Sequence, residues 1–193
     1  LRDYFESPDF DKSHLGQFKG FFGRLNSAFS DRGVVISVSG NVDKPVELVD
    51  ELAVSANLSL KVVLVLERGS KLDLVRNLSL SGAEDFFCTS TENIVVGEGA
   101  HLNYVYINSS PTESSPHMLA ESCFNLGRDA EVSYSEVCAG SRRSKRGVRA
   151  NLNGKSANFQ YRGLGFMRGQ QECESHIQVV HRVGETNSYI QQR

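Results

Sequence analysis

The chain has 193 residues, with 21 Lys and Arg against 23 Asp and Glu, and 39% of it is hydrophobic. That length fits one domain, or one domain with an appendage, and the apolar share suffices for a core, which excludes wholesale disorder. A formal charge of −2 excludes a globally basic nucleic-acid binder. The longest aliphatic run, Val62 to Leu66, is far short of the roughly 20 apolar residues of a spanning helix.

The chain opens at Leu1 rather than Met, which reads as a fragment, and the given sequence shows no charged-then-apolar leader. Leu1 to Lys19 mixes Asp, Ser and Phe without a period, and Leu25 to Phe29 reads as a short helix or an entry turn. Residues 1–30 are therefore predicted to be an irregular or helical segment, and 31–193 a β core. Val34 to Val38, β-branched and set between Gly33 and Gly40, predicts the first strand. Strand composition returns at Val62 to Leu66, Ile94 to Val96, His101 to Ile107, Val132 to Val137 and His176 to Val183. Glu51 to Leu60 and Leu78 to Asp85 fit no single period.

Turn motifs recur between these strands. Glu67-Arg68-Gly69-Ser70, Gly97-Glu98-Gly99-Ala100, Gly127-Arg128-Asp129-Ala130 and Gly154-Lys155-Ser156-Ala157 are each followed by apolar residues two and four places on. Gly184-Glu185-Thr186-Asn187 opens a weaker fifth copy, and the turn starts lie 30, 30, 27 and 30 residues apart. Gly, Asn or Asp supplies the positive φ of such a turn. A unit of this size cannot bury its apolar face alone, but stacked units bury it against one another. The pattern predicts a mainly β fold and favours a parallel β-helix over a two-sheet sandwich. Nothing at Gln191-Gln192-Arg193 reads as a cap, so either further residues follow or that edge is an association surface.

Four cysteines, Cys88, Cys123, Cys138 and Cys173, form no C-x-x-C pair and read as reduced thiols. Cys173, His176 and His181 carry ligand chemistry as C-x2-H-x4-H and are weak metal candidates. The odd spacing of the two histidines puts them on opposite faces of one strand. His101 and Asn103 alternate with Leu102 and Tyr104 and are predicted to face solvent; His117 is placed in a loop and His14 in the irregular N-terminus. Cys88 reads as buried packing, whereas Cys138, near Arg142 and Arg143, is the best candidate for an exposed, activated thiol. Arg142 to Arg146 reads as a solvated turn. No P-loop, dinucleotide fingerprint, G-x-S-x-G or hexapeptide repeat occurs.

Several stretches, in order, resemble the SufB/SufD family of iron–sulfur cluster assembly proteins, on the SufD side. These are Leu25 to Phe29 with Asp31, Gly33 and Val34; Val42 to Leu48; Ile94 to Leu102; Leu152 to Ala157; and Glu174 to His181 with Ser188. Glu174, Ile177 and Gly184 depart from the family pattern. The resemblance spans roughly residues 20 to 193. It implies a right-handed parallel β-helix and a non-catalytic, cytoplasmic scaffold that pairs with a SufB-like paralogue and a SufC-like ATPase. A transient iron–sulfur cluster would belong to that complex, and no catalytic or cofactor-binding residue carries over to this chain. The family's functional C-terminal region would lie beyond Arg193. A homodimer through the exposed strand edge is a further expectation; nucleic acid and membrane are not expected partners. The rival readings are a carbohydrate-active β-helix enzyme, which requires carboxylates and basic residues clustered along one face of successive coils, and a structural β-solenoid.

Overall fold

The computed structural model describes residues 26, 28–30, 32–82, 86–111 and 117–193. His14 and the irregular stretch from Leu1 to Lys19 lie outside the described residues.

Twelve strands follow in chain order: β1 (Arg32–Val38), β2 (Val46–Val54), β3 (Leu58–Leu66), β4 (Lys71–Gly82), β5 (Phe87–Val96), β6 (His101–Asn108), β7 (His117–Leu126), β8 (Glu131–Cys138), β9 (Arg143–Leu152), β10 (Asn158–Gly165), β11 (Glu172–His181) and β12 (Asn187–Gln192). Odd-numbered strands make one six-stranded sheet and even-numbered strands the other, in the orders β1-β3-β5-β7-β9-β11 and β12-β10-β8-β6-β4-β2. Each strand thus pairs, in parallel, with strands two places away in the chain. The chain passes from one sheet to the other and back, which makes a β-solenoid.

The register explains the repeat. The turn residues Ser70, Ala100, Ala130 and Ala157 are all fully buried, so their small side chains let successive coils close up. Leu72, Leu102, Val132 and Phe159 then stack in one inner column, and Leu74, Tyr104, Tyr134 and Tyr161 in the next. Opposite them, Leu66, Val96, Leu126 and Leu152 form a column of the odd-numbered sheet. The third turn position holds the positive φ, at Gly69, Gly99, Asp129 and Ser156. In the fifth turn Glu185 takes that conformation, and Asn158 faces Asn187, so this copy begins one residue earlier than the sequence spacing implies.

The first-position glycine serves close approach rather than positive φ. A Cβ on Gly154 would lie 2.0 Å from the Arg128 nitrogen in the turn below. Gly154→Ala is therefore expected to destabilise by about 2 kcal/mol, because neither backbone can yield. At Gly184 a Cβ meets nothing within 4 Å among the described residues, and Gly184→Ala should melt with the parent chain. Thermal denaturation of both variants checks the contrast.

The strands are longer than their apolar composition suggests. The two stretches without a clear period lie largely within β2, β3 and β4. Ile94 to Val96 is only the end of a ten-residue strand. His117 opens β7 instead of sitting in a loop, and its ring packs 5.3 Å from that of Phe87. Arg143 to Arg146 corrects the solvated-turn reading, since these residues begin β9 with Ser144 and Arg146 turned inward and buried. Among the described N-terminal residues, Asn26, Ala28 and Phe29 are helical. Asn26 is buried on the outer face of β5, donating to the Thr89 carbonyl and accepting from the Thr91 hydroxyl.

Candidate functional site

Three inner columns carry charge where a solenoid core is normally apolar. In the even-numbered sheet, Arg76 stacks on Tyr106, Glu136 and then Gly163. In the odd-numbered sheet, Glu92 follows Val62 and precedes Ser122, while Arg146 follows Ala120. The two sheets face each other, so these side chains meet in the middle of the coil.

Glu92 is the hub and is fully buried. Its Oε1 accepts from Arg76 Nη1 at 2.5 Å and from the Tyr104 hydroxyl at 2.6 Å. Its Oε2 accepts from the Ser122 hydroxyl and, at 3.3 Å, from Arg146 Nη2. Arg76 also binds Asp50, with Nε 2.9 Å and Nη2 2.8 Å from Oδ2. Arg146 donates from Nε to Glu136 at 3.1 Å and from Nη2 to the Tyr134 hydroxyl at 2.5 Å, and its guanidinium lies 4.1 Å from the Tyr106 ring centroid.

Burial raises the Glu92 carboxyl, but Arg146, Arg76 and the Ser122 and Tyr104 hydroxyls outweigh it and hold Glu92 down at about 2. Burial likewise works against the charges of Arg76 and Arg146, and their partners keep both above the ordinary guanidinium range. Each charge is thus held by its neighbours, as a buried ionic network requires. Arg146 Nη1 and the Tyr106 hydroxyl are buried without a hydrogen-bond partner among the described residues.

The polar column ends at Gly163, and beyond Glu136 a cavity of about 440 Å³ opens. It is lined by Glu136, Cys138, Tyr161, Leu164, Met167 and Cys173, among others. Cys138 ends β8 and Cys173 lies near the start of β11, so the two sheets bring their sulfurs to 3.4 Å. Cys138 Sγ is also 3.3 Å from Ser144 Oγ. The sequence expectation for Cys138 is corrected here. Cys138 is buried, and Cys173 is the exposed thiol. The neighbouring Cys173 and burial both push the Cys138 thiol far up. The hydrogen bond between the two sulfurs holds Cys173 below the ordinary thiol range, at about 6.

The C-x2-H-x4-H residues do not converge. Cys173 and His181 share the inner register of β11 but sit at its two ends, stacked on Ser144 and Leu152. His176 pairs with Gly147 in the outer register, as the odd spacing predicts. Both ring nitrogens of His181 are engaged by hydroxyls, Nδ1 with Thr186 at 2.6 Å and Nε2 with Ser188 at 3.1 Å. Among the described residues no group of three or more His, Cys, Asp or Glu side chains is placed to hold a metal ion. His101 and Asn103 lie on the outer face as expected, bonded to Glu131 and Asp73 on neighbouring coils. Cys88 is buried as expected, its thiol raised to about 12 by burial.

Sequence reading singled out neither Glu92, Arg76 nor Glu136. Charged residues do cluster along successive coils, as the carbohydrate-active reading requires. They lie inside the coil, neutralising one another, and not on a face open to a polysaccharide. Among the described residues no helix is long and apolar enough to cross a membrane. No curated protein matches the chain. Residues 52–193 match the family model described as SUF system FeS cluster assembly, SufBD core domain.

Proposed function

Because the chain belongs to the SufBD core family of the SUF iron–sulfur cluster assembly system, we propose that it is a cytoplasmic, non-catalytic scaffold subunit of a SUF complex. It stands on the SufD side and pairs with a SufB-like paralogue and a SufC-like ATPase. The iron–sulfur cluster is the cargo of that complex, and ATP hydrolysis belongs to the ATPase partner.

The observation that carries this reading is the family match over residues 52–193, which covers most of the solenoid. The SufD side rests on the shared order of the sequence motifs. The fold suits the role. A stack of parallel coils is stiff along its axis, because each rung is hydrogen-bonded to the next. The interior charges are consumed in holding one another, which favours a structural use of the core over surface hydrolysis of a carbohydrate.

Anaerobic co-expression of the full-length protein with SufB-like and SufC-like proteins tests the proposal. Purification through this chain should bring down both partners in fixed ratio, with iron and labile sulfide. A complex without iron or sulfide keeps the scaffold role and places the cluster elsewhere in the assembly. Recovery of this protein without either partner overturns the scaffold assignment.

A further inference from the structure

Cys138 and Cys173 are 35 residues apart in sequence and on different sheets, yet their sulfurs lie 3.4 Å apart. A disulfide needs that distance to close to about 2.0 Å, within the reach of side-chain rotation at an exposed residue such as Cys173. The pair lines the 440 Å³ cavity beside Glu136, Met167 and Leu164. That space is many times the roughly 10–15 Å³ that a cavity needs to hold one water, so a small oxidant fits beside the thiols. One thiol is exposed and the other buried, the arrangement of an attacking and a resolving sulfur.

We propose that Cys138 and Cys173 form a modification site, a dithiol that a hydroperoxide converts to an intrachain disulfide. The Cys173 thiolate attacks the peroxide. An S–O bond forms as the O–O bond breaks, and hydroxide leaves to take the thiol proton as water. The Cys138 thiol then attacks the Cys173 sulfenic acid. An S–S bond forms, the S–O bond breaks, and the Cys138 proton departs with the second water. Two thiols lose two electrons and two protons, and one hydroperoxide is reduced to two waters, or to water and an alcohol for an alkyl hydroperoxide. The bond ties β8 to β11 and so fastens one sheet to the other across neighbouring coils. This inference stands on the sulfur geometry and does not rest on the assembly role.

The test uses the full-length protein, reduced under argon, treated with hydrogen peroxide at a small molar excess, then alkylated and digested without reductant. The expected result is an intact mass lower by two hydrogens and a crosslinked peptide joining Cys138 to Cys173. Cys173→Ser, at an exposed position, should fold and lose the crosslink. The disulfide closes a 35-residue loop and should raise Tm by roughly 5–10 °C. In the reduced chain, alkylation of Cys173 should reach half its maximal rate near pH 6, following the lowered thiol. In Cys138→Ala the hydrogen bond between the sulfurs is gone, and that midpoint should move up towards the ordinary thiol value of about 8.5. Oxidation of Cys173 to sulfinic acid with Cys138 still open to alkylation overturns the proposal. So does a disulfide found only between two chains.

Discussion

Replacing Glu92 by Gln is expected to lower Tm by about 10 °C. The substitution keeps the shape of the side chain and removes one charge from a fully buried site. Arg76 Nη1 and Arg146 Nη2 then face a neutral amide where each had a carboxylate oxygen. Breaking one partner of a buried ionic network costs about 3–5 kcal/mol, because the surviving charge is left uncompensated, and each kcal/mol moves Tm by about 2–4 °C in a chain of this size. Asp50 and Glu136 still hold the outer sides of the two guanidiniums, which places the loss at the lower end of that range. Arg76→Met should cost less in the Glu92→Gln background than in the parent, since the charge it removes has already lost a partner. The same argument fixes a pH dependence. The folded-state Glu92 carboxyl sits at about 2, below its ordinary value of 4.5. Its stabilisation is therefore complete above about pH 4.5 and is lost as pH falls through 2, a change of about 3 kcal/mol. The gap in stability between parent and Glu92→Gln should shrink as urea denaturation is followed from pH 5 towards pH 2. A Glu92→Gln chain that melts within 2 °C of the parent at pH 7 would show that the network is not a set of mutually dependent charges.

The same buried charges explain which parts of the fold were legible in the sequence. The turns were, because a small fourth residue and a positive-φ third residue recur in four successive turns and leave the same letters about 30 residues apart. Strands with apolar inner columns were legible too, as at Val62 to Leu66. Alternation fails where the inner column turns polar. In β5 the inward residues include Ser90 and Glu92, and in β9 they are Ser144 and Arg146 before Val148. A run of Arg, Arg, Ser, Lys and Arg then looks like a solvated turn. One signal was still present: Arg146 lies an even number of residues before Leu152, so it shares the inner face of that strand. The histidine spacing was read correctly because parity along one strand needs no knowledge of the other sheet. The Cys138–Cys173 pair had no comparable signal. It depends on the register between two sheets and on the length of the loop after β8, and sequence spacing alone places the two thiols 35 residues apart.

Truncating Phe124 to Ala should be the most damaging single change in the apolar core, at about 4 kcal/mol, and the damage should be local. Phe124 is fully buried on β7, with its ring centroid 5.0 Å from that of Tyr134, 5.2 Å from Phe159 and 6.5 Å from Tyr104. It therefore joins the odd-numbered sheet to three successive strands of the other, β6, β8 and β10. Large-to-small changes of this kind cost about 3–5 kcal/mol, which combines lost burial with the cavity left behind, and tilted aromatic pairs add to the loss. Phe87, about half exposed and stacked on His117, is the contrast, and Phe87→Ala should cost under about 1 kcal/mol. In a solenoid each coil is stabilised mainly by its own packing and by its two neighbours. Amide hydrogen exchange in Phe124→Ala should accordingly quicken most in β5 to β10, while β1 to β3 keep protection closer to that of the parent. Equal acceleration in every strand would mean that the coils unfold as one unit. The charged interior would then be the reason, because Asp50, Arg76, Glu92, Arg146 and Glu136 run as one chain of contacts from β2 to β9 and would couple the coils that nearest-neighbour packing alone leaves independent.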